Sequence, residues 1–359
     1  MNESYETVTD FVEALPREVN DVVICGTTYS DTGGVSRVIE QQATDLSDNG
    51  YSVRIYALNA TTQPPPGVAL YAIGRFETTP YKELDKLLTL VSPRGLKTLR
   101  ALRSADVVIT HRFPFSVLSY LAKQADGPEY VFWSHPSQSS DHLFDGAARV
   151  WAKLQHHLET GHLTVRGADH ICAVSEESRA YIQSKVNRDV ILVQNSISES
   201  RFESVRSRES IEAEYGIDSS DKVVLHVGRI TPRKSILELV DSFERLADEH
   251  DGLKLVLVGK ENMQEYSERV RERAGDDVIF TGFVDDDTLA GLYDRSDVYA
   301  TCSLSEGWGL PLSEATYFET PIVAYESIPA AKSIEDAHLA REGDQADFER
   351  QLRRTLDIM

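Results

Sequence analysis

Two carboxylates, Glu306 and Glu314, stand eight positions apart in the stretch SLSEGWGLPLSEATYFETPIVA, Ser303 to Ala324. Gly307 and Gly309 predict a tightly turning loop, and Pro311 predicts the first turn of a helix, where its missing N–H has no partner to lose. Such a helix start carries unpaired backbone N–H groups and a partial positive charge, which suits a phosphate. Glu306 then falls in the loop and Glu314 about one turn into the helix, so both can address a bound molecule. By type alone the pair could act as general acid and base. The structural alternative makes Glu314 a carboxylate favoured by the helix dipole and Glu306 a solvated side chain.

Upstream, the stretch Val227-Gly228-Arg229-Ile230-Thr231-Pro232-Arg233-Lys234 gathers three cations within six residues. Arg229 can fork onto phosphate oxygens, and Lys234 can serve as a mobile point charge. A lysine at a helix start is disfavoured by the dipole unless an anion lies nearby. Near the N-terminus, Gly33-Gly34-Val35 opens a helix, and glycines there would let backbone N–H groups approach a phosphate. The same pair also reads as a plain tight turn. Ser134-His135-Pro136 sets an imidazole after an apolar run, where His135 can hydrogen-bond a substrate or move a proton. His111 and His226 read as packed histidines. Gly282-Phe283-Val284 forms a loop whose backbone could read a nucleobase edge. Asp285-Asp286-Asp287 after it reads as a helix N-cap run rather than a metal site.

The elements that must position these residues are legible as an alternation. Short β-branched runs at Val22–Cys25, Val53–Tyr56, Val107–Thr110, Val131–Trp133, Ile171–Val174 and Val190–Val193 are separated by helix-like stretches such as Val35–Leu46, Leu96–Leu102 and Val117–Ala122. A charged segment around 199–222 breaks the pattern. It restarts with Val223–Val227, Leu253–Val258, Val278–Thr281, Val298–Thr301 and Ile322–Ala324, with helices at Ser235–Glu249, Met263–Ala274 and Thr288–Arg295. Near-continuous apolar strands alternating with helices predict parallel sheets covered on both faces. The expectation is α/β: two Rossmann-like domains, residues 1–200 and 201–345, with a cleft between them. Residues 346–359 form a terminal helix, read as a short crossover to the first domain or as a truncated end. Ligands of open α/β sheets sit at the carboxyl ends of the strands, where these candidate residues fall.

Composition narrows the class. With 359 residues the chain suits two domains of ordinary size. No apolar run approaches the ~18 residues of a membrane-spanning helix, and the polar, acidic N-terminus is no secretory signal. Cys25, Cys172 and Cys302 are odd in number and far apart, so neither a disulfide framework nor a zinc site is indicated. The expected location is cytoplasmic. The net charge of −21 argues against a nucleic-acid partner. Residues 1–200 hold 18 Lys and Arg against 24 Asp and Glu, and the remainder 19 against 34. An anion site in the second half must therefore be locally basic within an acidic surface, of a kind that suits a salty cytoplasm.

Taken together, Gly228-Arg229 with Lys234, Thr281–Val284 and EGWGLPLSEA at Glu306–Ala315 resemble the retaining family-4 type glycosyltransferases of the GT-B fold. The likeness extends to Gly33-Gly34, Ser134-His135, Ala173–Glu176 and Gln194–Ser196. It implies a nucleoside-diphosphate sugar bound by the second domain, from which a hexose passes to a glycan, lipid-linked or small-molecule acceptor with retention. The resemblance assigns Arg229 and Lys234 to the diphosphate, together with the backbone N–H groups of Gly309 and Leu310 in the Gly307–Leu310 loop. Glu306 would face the donor sugar's hydroxyls, Glu314 the ribose, and the Phe283–Val284 backbone the base. Gly34 would close over the phosphates, and His135 would hydrogen-bond the donor sugar. No metal or other cofactor is expected, and a lipid-linked acceptor would bring the protein to the cytoplasmic face of a membrane. Three positions depart from the family pattern: Ser235 stands where glycine often follows the lysine, Glu326–His338 lacks a glycine-rich turn, and the chain ends soon after Phe348–Leu356. A sugar-nucleotide epimerase of similar architecture and a non-catalytic sugar-nucleotide-binding subunit are the alternatives. The combined cation and carboxylate pattern speaks against both.

Overall fold

The computed structural model describes residues 3–30, 34–74, 88–89, 91–124, 126–135, 165–193, 195, 197, 199–261, 263–304, 306 and 308–358. It divides into two compact units, Met1–Ser196 and Ile197–Met359. The first carries strands β1 (Ser4–Tyr5), β2 (Asp21–Tyr29), β3 (Ser52–Ala60), β4 (Ala69–Ala72), β5 (Val107–Thr110), β6 (Glu129–Ser134), β7 (His170–Ala173) and β8 (Ile191–Val193). They form one sheet in the order β1-β8-β7-β6-β5-β2-β3-β4, every pairing parallel. Strand order reverses beside β2, which lies between β3 and β5.

The second unit carries β9 (Lys222–Val227), β10 (Leu253–Val258), β11 (Val278–Gly282), β12 (Val298–Thr301), β13 (Ile322–Tyr325) and β14 (His338–Ala340). Their order is β11-β10-β9-β12-β13-β14, again all parallel, with the reversal between β9 and β12. Successive strand residues enter opposite cores, as a pleat of period two requires. Val224, Leu255, Val298 and Val323 join Phe243 and Phe348 on one face. Val223, Leu225, Val256 and Tyr299 join Tyr293 and Leu312 on the other. Burial on both faces explains why these strands read as unbroken apolar runs.

The α/β expectation is met in both units. Three short strands escaped the sequence: β1, β4 and β14 are two to four residues long and sit at sheet edges. The N-terminal extension gives β1 and a helix of six residues, Val8–Glu13, capped by Thr7 and Asp10. The unit boundary falls between 196 and 197. The final helix, Gln345–Leu356, is part of the second unit, with Phe348, Leu352 and Leu356 in its core.

Candidate active site

In the second unit the loops after β9 and β12 meet where strand order reverses, the position at which open α/β sheets bind ligands. The chain leaves β9 through Gly228, and a 3-10 turn, Pro232–Lys234, aims Lys234 inward. A Cβ at Gly228 would stand 3.3 Å from Lys234 Cε and 3.1 Å from His226 Nε2, so the missing side chain leaves room for the lysine stem. Leu304 N donates to Arg233 O over 3.0 Å, tying the β12 loop to this turn.

Glu306 sits in that second loop, buried at 9% exposure against Lys234 at 8%. Its Oε1 accepts from Lys234 Nζ and, over 2.6 Å, from Ser303 Oγ. Oε2 accepts from Arg233 Nη1 over 3.3 Å. Burial would raise the Glu306 carboxyl, but Lys234 and Arg233 outweigh it and hold the group down at about 2. Burial lowers the Lys234 ammonium, and the neighbouring Arg233 and Arg229 charges push the same way, against the attraction of Glu306. Lys234 and Arg233 thus hold one carboxylate, and the Arg229 charge acting on Lys234 adds to the local positive charge within an acidic unit. Arg229 lies exposed in the same loop.

The helix Leu310–Tyr317 starts beside this cluster, with Gly309 as a cap that makes no side-chain hydrogen bond and Pro311 in the first turn. Gly309 has φ +101, and a Cβ there would meet Leu312 Cδ1 at 3.0 Å, so glycine suits both the backbone and the space. Gly307 and Gly33 lie outside the described residues, and Gly34 begins the helix Gly34–Asp48 of the first unit. Phe283 is exposed after Gly282, with Lys260 Nζ 5.0 Å from its ring centre, while Val284 packs at the edge of the core.

Glu314 behaves differently from its expectation as a residue turned toward a ligand. It is buried, its Oε1 accepts from Arg201 Nη1 over 3.0 Å, and its Oε2 accepts from Tyr293 Oη over 2.9 Å. Arg201 also grips Asp286 through Nη2 at 2.8 Å and Nε at 3.3 Å. Each carboxylate oxygen keeps a second lone pair for a further donor. Asp285 caps the helix Asp286–Arg295 by accepting from Thr288 N over 2.9 Å, so the aspartate run is an N-cap as read.

In the first unit His135 follows β6. Its Nε2 lies 2.8 Å from His111 Nδ1, and His111 Nε2 lies 2.9 Å from Gln42 Oε1. Burial, then the nearby Arg112 charge, lowers His135 to about 3, and His111 is also driven well below its ordinary value by burial. Both rings are neutral at ordinary pH. His111 is packed, as read, yet it also touches the candidate histidine. His226 is buried in β9 with Nδ1 3.0 Å from Ala300 O.

Family comparisons fall on the same segments. The family described as Glycosyl transferases group 1 matches residues 207–358, and the Glycosyl transferase 4-like domain matches residues 33–195. Only 1–32, 196–206 and Met359 lie outside the two matches. The chain belongs to the group 1 glycosyltransferases. An uncharacterized glycosyltransferase of Methanocaldococcus jannaschii is 35% identical over a stretch covering 34% of this chain and 30% of that protein. The phosphatidyl-myo-inositol mannosyltransferase of Mycolicibacterium smegmatis is 24% identical over 89% of this chain and 79% of its own. The structure of Anabaena HepE in complex with UDP and glucose superposes with a TM-score of 0.74 at 17% identity, covering 94% and 90% of the two chains. The fold of this glycosyltransferase is therefore GT-B.

Several residues of the glycosyltransferase's cluster went unassigned in the sequence. Arg233 was counted as a cation without a role, although it holds Glu306. Ser303 opens the very stretch that carries Glu306, and a serine three residues before a carboxylate was its only signal. Arg201 lies in the charged segment read as a break between domains, and nothing local marks it as a partner for Glu314, 113 positions away.

Proposed function

We propose that this glycosyltransferase moves a hexose from a nucleoside-diphosphate sugar to a glycan, lipid-linked or small-molecule acceptor, with retention and without a metal. The observation that carries the reading is the Arg233–Lys234–Glu306 cluster beside the uncapped start of the helix Leu310–Tyr317. A departing diphosphate gains negative charge as the anomeric bond breaks. Arg229, Lys234 and the N–H groups of Gly309 and Leu310 are fixed in advance to receive it, a contribution worth several kcal/mol in a closed site. Glu306, held ionised by its cations, is left to accept from the sugar's hydroxyls. Glu314 offers its remaining lone pairs to the ribose, and the Phe283–Val284 backbone meets the base. Gly33 and Gly34 approach the phosphates, and His135 hydrogen-bonds the donor sugar.

A uridine or guanosine diphosphate donor fits this reading, supported on the uridine side by the UDP and glucose held by Anabaena HepE. The lipid acceptor class is supported by the mycobacterial mannosyltransferase's name. Among the described residues no helix is long and apolar enough to cross a membrane. A lipid acceptor would be met at the cytoplasmic face of a membrane. Calorimetric titration with UDP, GDP and ADP, followed by turnover with the matching sugar nucleotide, tests the proposal. Lys234→Ala is expected to weaken diphosphate binding by at least tenfold, the scale of a charge-assisted hydrogen bond of ~1.5–3 kcal/mol. Glu306→Ala is expected to lower turnover. Wild-type turnover in both variants at subsaturating donor would overturn the site. Loss of turnover with EDTA would overturn metal independence.

A further inference from the structure

The histidine that the proposed function gives to the donor sugar ends a chain of side chains running back into the first unit. Gln42 and His111 are buried, and His135 is partly exposed at the end of β6. With both rings neutral, the contacts admit two directions of donation. In one, Gln42 Oε1 accepts from His111 Nε2–H, so His111 Nδ1 is bare and must accept from His135 Nε2–H. In the other, the Gln42 amide is turned over, and every bond reverses. The direction decides whether His135 presents a lone pair or a proton at Nδ1, which has no partner among the described residues.

The amide's orientation is decided on its far side. Behind Gln42 lies a cavity of about 20 Å³ lined by Val8, Val38, Gln41, Asp45, Trp133 and Asn195. That volume admits one water, which needs ~10–15 Å³ and two to four polar partners. Gln42 Nε2, Trp133 Nε1 and Gln41 Oε1 are buried there without partners among the described residues. Asp45 already accepts from Thr9 N over 3.4 Å and adds a second acceptor. A water accepting from Gln42 Nε2–H and Trp133 Nε1–H and donating to Gln41 Oε1 and Asp45 satisfies the group. Turning the amide over would leave Gln42 Oε1 among the acceptors and a surplus of lone pairs.

We propose that Gln42 and His111 are positioning residues that hold His135 as its Nε2–H tautomer, presenting Nδ1 as a hydrogen-bond acceptor. The inference rests on the reading that His135 meets the donor sugar. It specifies that contact: His135 accepts from a sugar hydroxyl rather than donating to it. Replacing Gln42 with an apolar side chain removes the acceptor that orients His111, and the His135 proton is then free to sit on either nitrogen.

Isotope-labelled histidine rings read by NMR separate protonated from bare ring nitrogens and test this on the full chain. The wild type is expected to carry the His135 proton on Nε2. Gln42→Met and His111→Leu are expected to give mixed tautomers and a roughly three- to tenfold lower kcat/KM for the donor, the factor corresponding to one ordinary hydrogen bond. His111→Asn, whose side-chain oxygen can replace Nδ1 as acceptor, is expected to restore the tautomer. A wild-type proton on Nδ1, or a tautomer unmoved in both apolar variants, overturns the relay. His135→Ala separates the two levels. Unchanged turnover there overturns the donor contact and the positioning role with it, whereas a sensitive His135 with a reversed tautomer overturns the relay alone.

Discussion

Lys234 and Glu306 form a buried pair whose worth lies less in stability than in readiness. Taking both charges out of water costs several kcal/mol per ion, which their attraction roughly offsets. Arg233 and Ser303 occupy further lone pairs of the carboxylate and keep it ionised at about 2. The same burial that sustains this pair keeps histidines neutral: His226 falls to about 4 and His135 to about 3. The signs agree. Glu306 contributes stability that is present above its ordinary value of 4.5 and lost as pH falls through about 2. The depressed histidines bind fewer protons folded than unfolded, so their contribution is present above 6.5 and lost as pH falls toward 4 and 3. Unfolding free energy is therefore expected to decline steadily from pH 7 to pH 3, with His226 alone supplying on the order of 3 kcal/mol. Urea titrations at stepped pH would measure this, and a flat profile between pH 6.5 and 4 would contradict it.

The turn between β9 and the helix Ile236–Ala247 is the element on which the cluster depends. Pro232 fixes its entry, and Ser235 closes it in the left-handed region at φ +49. The departure noticed in the sequence, a serine where relatives often have glycine, now has a physical meaning. A side chain in this conformation costs ~1–2 kcal/mol, partly offset by the 2.9 Å bond from Ser235 Oγ to Glu238 Oε2. Ser235→Gly exchanges the hydrogen bond for relief of strain, whereas Ser235→Ala loses the bond and keeps the strain. The glycine variant is expected to be about 1 kcal/mol more stable than the alanine variant, read as a shift in urea midpoint at constant slope. Equal midpoints would mean that the left-handed turn carries no strain. Arg201 plays a matching part for the helix Leu310–Tyr317, since it bridges Glu314 to Asp286 at the start of another helix.

At the scale of the whole molecule, charge is the distinguishing property. The chain carries −21, concentrated after residue 200, yet its cation cluster lies in that same part. Like charges spread over a surface repel and destabilise the compact state, and salt screens them with a Debye length of ~10 Å at 0.1 M and ~3 Å at 1 M. Raising sodium chloride from about 0.1 M to about 1 M is accordingly expected to raise Tm by several degrees, a gain of ~1 kcal/mol or more for a domain of this size. Calorimetric scans at a series of salt concentrations check this, and a falling Tm would show that ion pairs such as Arg295–Glu212 outweigh the repulsion. Donor binding is expected to weaken over the same range, because screening acts on the exposed Arg229.

What the sequence determined by itself was local or periodic. Apolar runs at strand length placed the long central strands of both sheets, because burial on both faces leaves a continuous signature. Gly309 and Pro311 marked the start of their helix through backbone geometry alone. The edge strands β1, β4 and β14 were invisible, being too short to show a period and depending on a neighbour for their hydrogen bonds. Tertiary structure alone decided the partners. It turned Glu314 toward Arg201 and Tyr293, set Arg233 on Glu306, and lined Gln42 and His111 up behind His135. Those contacts join residues 21 to 113 positions apart only after the sheets have ordered their strands, or, between Tyr293 and Glu314, after two separate helices have packed. Polar partners chosen across a fold leave no trace in composition or spacing.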